Sequence, residues 1–251
     1  MSTNNQIMSN EAAKRALVTG GSGALGSAIC ERLALDGFEV FIHANNALDA
    51  ATELKRKILA SGGMAEALRF DVTDAQATLD VLLPLTEEKA FQVIVNCAGI
   101  HDDAVFAGMQ ASQWNRVIDV SLNGFFNVTQ PLMLPMLRTR YGRIINISSV
   151  AAIAGNRGQV NYAAAKAALH GATKALAQEV ASRGVTVNVV APGIIESPMI
   201  EGVFDAEMVA RIVPMKRVGK STEVAALVAF LASKDAGYIT GQIISINGGM
   251  I

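Results

Sequence analysis

The stretch ALVTGGSGALGSAI, residues 16–29, joins a short apolar run to a helical segment through a glycine-rich turn. The N–H groups of such a turn and the dipole of the following helix bind phosphate, and glycine allows the close approach. Gly21, Gly23 and Gly26 match the dinucleotide pattern G-x-G-x-x-G. The stretch therefore predicts a strand, a phosphate-binding turn and a helix.

A second glycine pattern overlaps the first. Thr19, Gly20 and Gly26 fit T-G-x-x-x-[GA]-x-G, with Ala24 at the inner small position. The first pattern expects an acidic residue after the second strand to bind the adenosine ribose. The segment IHANN (42–46) ends that strand without a carboxylate. This favours the second pattern, and NADP over NAD, because a carboxylate would repel a 2′-phosphate.

Short apolar runs alternate with helical stretches along the rest of the chain. We predict strands at 15–19, 38–43, 65–72, 91–99, 142–149, 185–193 and 241–248, helices at 24–36, 48–61, 75–88, 160–182 and 221–233, and a largely helical segment at 112–139. The alternation is typical of a parallel sheet with helices on both faces. We expect one α/β domain at 14–251, a Rossmann-type doubly wound sheet of about seven strands, behind a mobile tail at 1–13.

The composition of the chain limits the classes of function and partner that it can have. The chain has 251 residues, 51% hydrophobic and 17% charged, with a net charge of −1, which suits a large core. The sequence contains no block of basic residues, so we do not expect nucleic acid to be a partner. Cys30 and Cys97 have no metal-ligand spacing and are expected to be reduced thiols. Without an apolar leader or membrane-length run, we expect a soluble cytoplasmic protein with no membrane partner.

A tyrosine and a lysine in QVNYAAAKAALHGATKALA (159–177) suggest acid–base chemistry. Tyr162 and Lys166 are four residues apart and so share a helix face. A free tyrosine has a pKa of roughly 10, and a nearby ammonium lowers it by stabilising the phenolate. Tyr162 would then protonate a carbonyl oxygen during reduction. Taken alone, an ordinary exposed Tyr–Lys pair explains the motif better.

Three further segments fall at predicted strand ends. Ser149 precedes Tyr162 by thirteen residues, and its hydroxyl is suited to bind a substrate carbonyl oxygen. NCAG (96–99) is a small-residue turn that allows close approach of a cofactor, and PG (192–193) is a rigid turn. Ligands of such sheets bind at the carboxyl ends of the strands. The combination makes coincidence implausible.

On these residues the chain resembles the short-chain dehydrogenase/reductase family, and within it the 3-oxoacyl-acyl-carrier-protein reductases. The matching segments are TGGSGALG (19–26), Asp71 in DVTD, NCAG, Ser149, YAAAK (162–166), EVASRGVTVNVVAPGIIES (179–197) and ITGQIISINGGM (239–250). The resemblance implies that Tyr162 is the general acid, Ser149 orients the carbonyl, and Lys166 holds the nicotinamide ribose of NADPH and tunes Tyr162.

The resemblance also implies a cofactor pocket around the strand ends. Its expected members are Thr19, Gly20, Ser22, Gly23, Ala24, Leu25, Gly26, His43, Asn45, Asn46, Asp71, Val72, Asn96, Ala98, Gly99, Tyr162, Lys166, Pro192, Gly193, Ile195, Ser197 and Met199. His43, Asn45 and Asn46 are candidates to donate to a 2′-phosphate. For His43, a plain strand-end histidine is an equal alternative.

The sequence departs from the family where a fourth catalytic residue, an asparagine in V-N-L-x-G, is usual. Here VSLNG (120–124) has Ser121 at that position and Asn123 two residues later. Residues two apart cannot share a helical face, so Asn123 is a poor substitute. We expect Ser121, by its side chain or by its backbone with a water, to complete the proton relay to Lys166.

The implied reaction is NADPH-dependent reduction of a 3-oxoacyl thioester on an acyl carrier protein. Two arginines, Arg140 and Arg183, match the carrier-docking positions of these reductases, although two plain surface arginines explain them equally. The segment 194–215 is either a lid or an ordinary connection. The resemblance implies a homotetramer through 112–139 and 160–182. The alternatives are another carbonyl or alcohol substrate, such as an acyl-CoA, a steroid or a sugar, and a non-catalytic NADP-binding regulator.

Overall fold

Seven parallel strands form a single sheet in the computed structural model, which describes residues 13–196 and 205–251. They are β1 (Arg15–Thr19), β2 (Glu39–Ala44), β3 (Met64–Arg69), β4 (Phe91–Asn96), β5 (Gly142–Ile147), β6 (Val185–Pro192) and β7 (Ile243–Ile246). Their order is β3-β2-β1-β4-β5-β6-β7, and each neighbouring pair is parallel. The predicted α/β doubly wound sheet is confirmed. The predicted tail, apart from Ala13, lies outside the described residues.

Helices cover both faces of the sheet. They are α1 (Ala24–Leu35), α2 (Leu48–Ala60), α3 (Ala75–Glu88), α4 (Ala111–Ile118), α5 (Gly124–Thr139), α6 (Ala151–Ala154), α7 (Val160–Val180), α8 (Ala206–Ile212) and α9 (Ser221–Ala232). In β1, Ala16 and Val18 belong to the core under α1, α2 and α9, whereas Leu17 belongs to the core under α3, α5 and α7. Because both faces are buried, the central strands β1, β4 and β6 are largely apolar, whereas the edge strand β3 (MAEALR) is partly exposed.

The segment 112–139, predicted to be largely helical, is helical throughout. It contains a feature that the sequence did not predict, a π-helical turn at Asp119–Asn123 between α4 and α5. The first residue of α5, Gly124, packs against Val72, and a Cβ there would lie 2.9 Å from a Val72 methyl carbon. Such π turns occur frequently at functional sites. In the segment 194–215, the structure describes α8 and leaves 197–204 outside its ranges.

The sheet topology fixes where a ligand can bind. β1 and β4 are neighbours in the sheet, and the chain leaves them towards opposite sides. The crevice at the carboxyl ends of such a strand pair is the usual ligand site of these folds. The glycine turn, NCAG, Ser149 and PG all follow strands at this edge.

Candidate active site

The glycine turn after β1 leaves no room for side chains at two positions. A Cβ at Gly26 would lie 2.2 Å from the Gly20 carbonyl oxygen, and one at Gly20, where φ is +64°, would lie 3.0 Å from the Ala98 Cα. A Cβ at Gly23 would make only an ordinary contact, 3.4 Å from the Gly20 carbonyl oxygen, and α1 begins directly after Gly23 with no side-chain cap on its first N–H groups. This cradle fits a diphosphate, whose oxygens would accept those N–H bonds.

Thr19 ties the turn to the end of β4. Its buried hydroxyl oxygen accepts hydrogen bonds from the backbone N–H groups of Cys97 and Ala98, both at 3.0 Å. The threonine therefore shapes the cradle by holding two strand ends together. This contact explains why the pattern that begins at Thr19 describes the turn better than G-x-G-x-x-G.

His43 is held inside the protein. Its Nδ1 accepts from the Gly20 N–H at 3.0 Å, and its Nε2 lies 2.9 Å from the Phe70 carbonyl oxygen, to which it donates. The side chain is only 2% exposed, and burial lowers its pKa. With both ring nitrogens in use, the expected donation to a 2′-phosphate is wrong, and His43 instead supports the glycine turn. Asn45 and Asn46 are exposed beside it.

The carboxylate of Asp71 follows β3 at the same edge. Its Oδ1 accepts from the backbone N–H and the hydroxyl of Thr73, at 2.9 and 2.8 Å. Burial opposes ionisation, but these bonds and one from Asn45 outweigh it, so the pKa of Asp71 is lowered. The Val72 carbonyl accepts from Asn127 of α5 at 2.8 Å. The ionised carboxylate of Asp71 and the buried side chain of Val72 thus lie where the adenine ring of the cofactor was expected to bind.

A chain of buried amides and hydroxyls joins β4 and β5 to the helices below them. Asn96 donates to Thr129 at 3.0 Å and to Asn146 at 2.9 Å, and Asn146 donates to Thr173 at 2.8 Å. Both amide hydrogens of Asn96 are therefore used within the protein, and its buried Oδ1 has no hydrogen-bond partner among the residues that the structure describes. The sequence reasoning missed Thr129, Asn146 and Thr173. The asparagine inside the apolar run GRIINIS was the available signal.

Ser149 and Tyr162 lie close together at the mouth of the crevice, where the Ser149 hydroxyl acts to lower the pKa of Tyr162. The start of α7 is fixed by the fully buried Asn161, whose Nδ2 donates to the Asp102 carbonyl at 2.9 Å and whose Oδ1 accepts the Tyr162 N–H at 2.8 Å. Burial raises the pKa of Tyr162, and the Ser149 hydroxyl acts against that rise.

Lys166 lies below the tyrosine and is only 3% exposed. Its Nζ donates to the Ile147 carbonyl oxygen at 2.9 Å and lies 5.8 Å from the centre of the Tyr162 ring. Burial lowers the pKa of the lysine to about 8. Burial is the largest influence on the pKa of Tyr162 and raises it. The expected lowering of this pKa by Lys166 stays a prediction.

Ser121 faces the same space as the lysine. A Cβ at Gly99 would lie 2.8 Å from the Lys166 Nζ and 3.7 Å from the Ser121 Oγ, so Gly99 keeps this space open. The Ser121 hydroxyl is buried without a hydrogen-bond partner within the described residues. Asn123 is exposed and donates to Asp119 at 2.7 Å. The π turn thus directs Ser121, and not Asn123, towards the lysine.

The turn after β6 closes the crevice from the other side. The Pro192 carbonyl accepts from Val150 at 2.8 Å, and a Cβ at Gly193 would lie 2.8 Å from the Asn247 Cα. Ile195 forms an isolated parallel bridge with Gly219. The two further cofactor candidates of this loop, Ser197 and Met199, lie outside the described residues.

The arginine pair lies at the other edge of the sheet. Arg140 ends α5 before β5 begins, and Arg183 lies before β6. Both are exposed, and their turns touch where the Gly142 N–H donates to the Gly184 carbonyl at 3.3 Å. Ser149 follows the opposite end of β5, about 20 Å away for six residues of strand. The arginines are therefore close to each other but far from the catalytic side chains of their own chain.

Comparison with known proteins agrees with this geometry. The family model "short chain dehydrogenase" matches residues 14–208. An acetoacetyl-CoA reductase of Allochromatium vinosum is 43% identical over 242 residues, which cover 95% of this chain and 98% of the relative. A 3-oxoacyl-[acyl-carrier-protein] reductase of Synechocystis is also 43% identical over 242 residues, covering 95% and 97%. The same-named protein of Aggregatibacter actinomycetemcomitans is 40% identical over 236 residues, covering 93% and 98%. The chain belongs to the short-chain dehydrogenase family, which confirms the resemblance. Among the described helices, none is long and apolar enough to cross a membrane.

Proposed function

We propose that this protein reduces the keto group of a 3-oxoacyl thioester to the 3-hydroxyacyl product, with NADPH as the reductant. The observation that carries the proposal is the convergence of Ser149, Tyr162 and Lys166 on one side of a crevice whose other side is the glycine cradle. Relatives named for acetoacetyl-CoA and for 3-oxoacyl-carrier substrates support this substrate class. Bound NADPH would supply the hydride, and the protein supplies position and protons.

The chain's own residues would manage the carbonyl oxygen. The hydroxyls of Ser149 and Tyr162 would donate to that oxygen, and Tyr162 would transfer its proton as negative charge develops. The buried ammonium of Lys166 would stabilise the resulting phenolate. Ser121, whose hydroxyl has no hydrogen-bond partner in the described part of the chain, would hold a water against Lys166 Nζ and so replenish the proton.

The choice of NADPH rests on the end of β2. Asn45 and Asn46 follow it, with no carboxylate to repel a 2′-phosphate, and both are exposed. Their amides can donate to a phosphate, while His43 is used elsewhere. Comparing the binding of NADPH and NADH by intrinsic fluorescence tests this. Equal affinities would contradict the assignment.

The reaction is tested by following NADPH oxidation with acetoacetyl-CoA and with 3-oxoacyl thioesters on a carrier protein. We expect turnover with both, and a loss of about 10³-fold or more in kcat for Tyr162→Phe with NADPH affinity unchanged. Near-wild-type turnover by that variant would remove Tyr162 as the acid. NADPH binding without turnover on any thioester would instead favour another carbonyl substrate or the non-catalytic regulator.

We further propose that the enzyme is a homotetramer that binds its carrier through Arg140 and Arg183. The exposed Phe126 and Leu134 on α5 are consistent with an apolar contact between subunits. Because the arginines are a strand's length from their own Ser149, a carrier docked there would have to serve another subunit. Light scattering tests the assembly. Arg140→Glu should raise KM for the carrier-bound substrate and leave KM for the CoA thioester unchanged.

A further inference from the structure

Two side chains next to the catalytic residues have no part in the proposed reaction. Ser148 directly precedes Ser149 and is 3% exposed. Its hydroxyl oxygen lies 3.1 Å from the Lys166 carbonyl oxygen and 2.8 Å from the Nε2 of His170. Both partners belong to α7, one turn apart, so this single hydroxyl bridges the end of β5 to the catalytic helix.

The protons of this bridge can be assigned. A hydroxyl has one hydrogen, and the Lys166 carbonyl can only accept, so Ser148 donates to the carbonyl. His170 must then donate its Nε2–H to the Ser148 oxygen, which requires the tautomer protonated at Nε2. With the other neutral tautomer, Ser148 would have to choose between its two partners. Burial, and then the charge of Lys174, lower the pKa of His170, so the ring is neutral at neutral pH.

The bridge is the middle one of three successive contacts between β5 and α7. The Ile147 carbonyl accepts from Lys166 Nζ at 2.9 Å, Ser148 bonds the Lys166 carbonyl and His170, and the Ser149 hydroxyl lies close enough to Tyr162 to act on its pKa. The outer two contacts involve catalytic side chains that must exchange partners during turnover. The middle contact involves no side chain of the proposed reaction, so it can remain unchanged during turnover.

We propose that His170 is a positioning residue, which acts through Ser148 to hold the end of β5 against α7 and so keeps Ser149 in register with Tyr162. This inference rests on the roles proposed above for Ser149 and Tyr162. A helix face that needed only to be filled would accept leucine at this position. A donor aimed at Ser148 predicts a specific requirement for an N–H group.

The test compares His170→Gln, whose amide N–H can reach the same oxygen, with His170→Leu, which fills the space without a donor. We expect His170→Leu to lower kcat about 10-fold, as a small misplacement of reacting groups does, with KM for NADPH unchanged. His170→Gln should stay within about 2-fold of the wild type. Lys174→Gln, one turn further along α7 and exposed, is the matched control and should leave kcat unchanged.

Wild-type kcat in His170→Leu, or equal losses in both His170 variants, would overturn the proposal. A second readout does not depend on the substrate. The absorbance of the Tyr162 phenolate, obtained by subtracting the titration of Tyr162→Phe, should move to higher pH in His170→Leu because the effect of the Ser149 hydroxyl is weakened. An unshifted titration would contradict the positioning role. If the wild type reduces no thioester, the proposed reaction fails, and this titration still decides the role of His170.

Discussion

The crevice has two halves that are built by different means. The cofactor half, β1 to β3 with the turns after them, is shaped by missing side chains, since a Cβ at Gly26 or Gly20 would meet backbone atoms. The catalytic half, the ends of β4 to β6 with α5 and α7, is shaped by buried polar side chains such as Asn96, Asn146 and Lys166. One half depends on sterics and backbone bonds, the other on a network of side-chain bonds.

This difference predicts different responses to mutation. In the cofactor half, an added methyl group displaces backbone and should weaken cofactor binding while leaving the catalytic groups in place. In the catalytic half, removing a buried polar partner leaves another one unsatisfied and should change turnover, pH dependence or stability.

The largest effect is expected for Lys166→Met, which should lower kcat by about 10³-fold. It should also stabilise the protein at pH 7 by about 3 kcal/mol, because burial holds the pKa of Lys166 at about 8 and the unfolded lysine titrates near 10.5. The folded state thus binds fewer protons between pH 8 and 10.5, so wild-type stability rises there and the advantage of the variant disappears.

Urea unfolding of the wild type and of Lys166→Met at pH 7 and pH 10 measures the change in stability. The kcat of both proteins at pH 7 measures the loss of activity. Lys174→Met on the exposed side of α7 is the control, and it should change neither quantity. A variant that is less stable than the wild type at pH 7 would show that the ammonium is not costly in its buried position.

In the cofactor half, Gly26→Ala should weaken NADPH binding on the order of 100-fold, since its Cβ would lie 2.2 Å from the Gly20 carbonyl oxygen. Gly23→Ala in the same turn is the matched control, because its Cβ would lie 3.4 Å from that oxygen and its φ is −78°. Fluorescence titration with NADPH compares them. Equal losses of NADPH affinity in both variants would mean that the added methyl group clashes with NADPH itself and does not disturb the turn.

A smaller effect on kcat is expected in the catalytic half, at the π turn. Ser121→Ala should lower kcat about 10-fold without changing NADPH affinity, because it removes the hydroxyl that faces the lysine. Asn123→Ala, whose side chain is exposed and bonds only Asp119 among the described residues, should have wild-type kcat. Steady-state kinetics on one thioester decide between them. If Asn123→Ala is the slower variant, the proton relay to Lys166 runs through Asn123, which the π turn places at the surface, and not through Ser121.

The two halves also differ in how far the sequence predicts them. The turn from Thr19 to Gly26 was predictable because its requirement is local: glycine is needed wherever a Cβ would meet backbone a few residues away. The alternation of strands and helices was predictable for the same reason. The bonds of Asn96 to Asn146 and of Ser148 to His170 join residues far apart in the chain, and their partners become visible only once the sheet is formed. His43 was misassigned because its position was predictable and its two internal partners were not.

The smallest effect is expected at His43, which lies in the cofactor half but, like the catalytic half, depends on buried side-chain hydrogen bonds. Burial lowers its pKa below the usual value near 6.5, so the unfolded state binds more protons just below that pH, and stability should fall as pH falls. Protonation would also block the acceptor that holds the Gly20 N–H. His43→Gln should therefore show a shallower loss of unfolding free energy between pH 7 and pH 5 than the wild type, measured by urea unfolding, while the lowered pKa of His170 leaves part of the slope in both. Identical slopes would mean that His43 does not titrate on unfolding. A shallower slope would locate acid sensitivity in the cofactor half, opposite to the alkaline effect of Lys166 in the catalytic half.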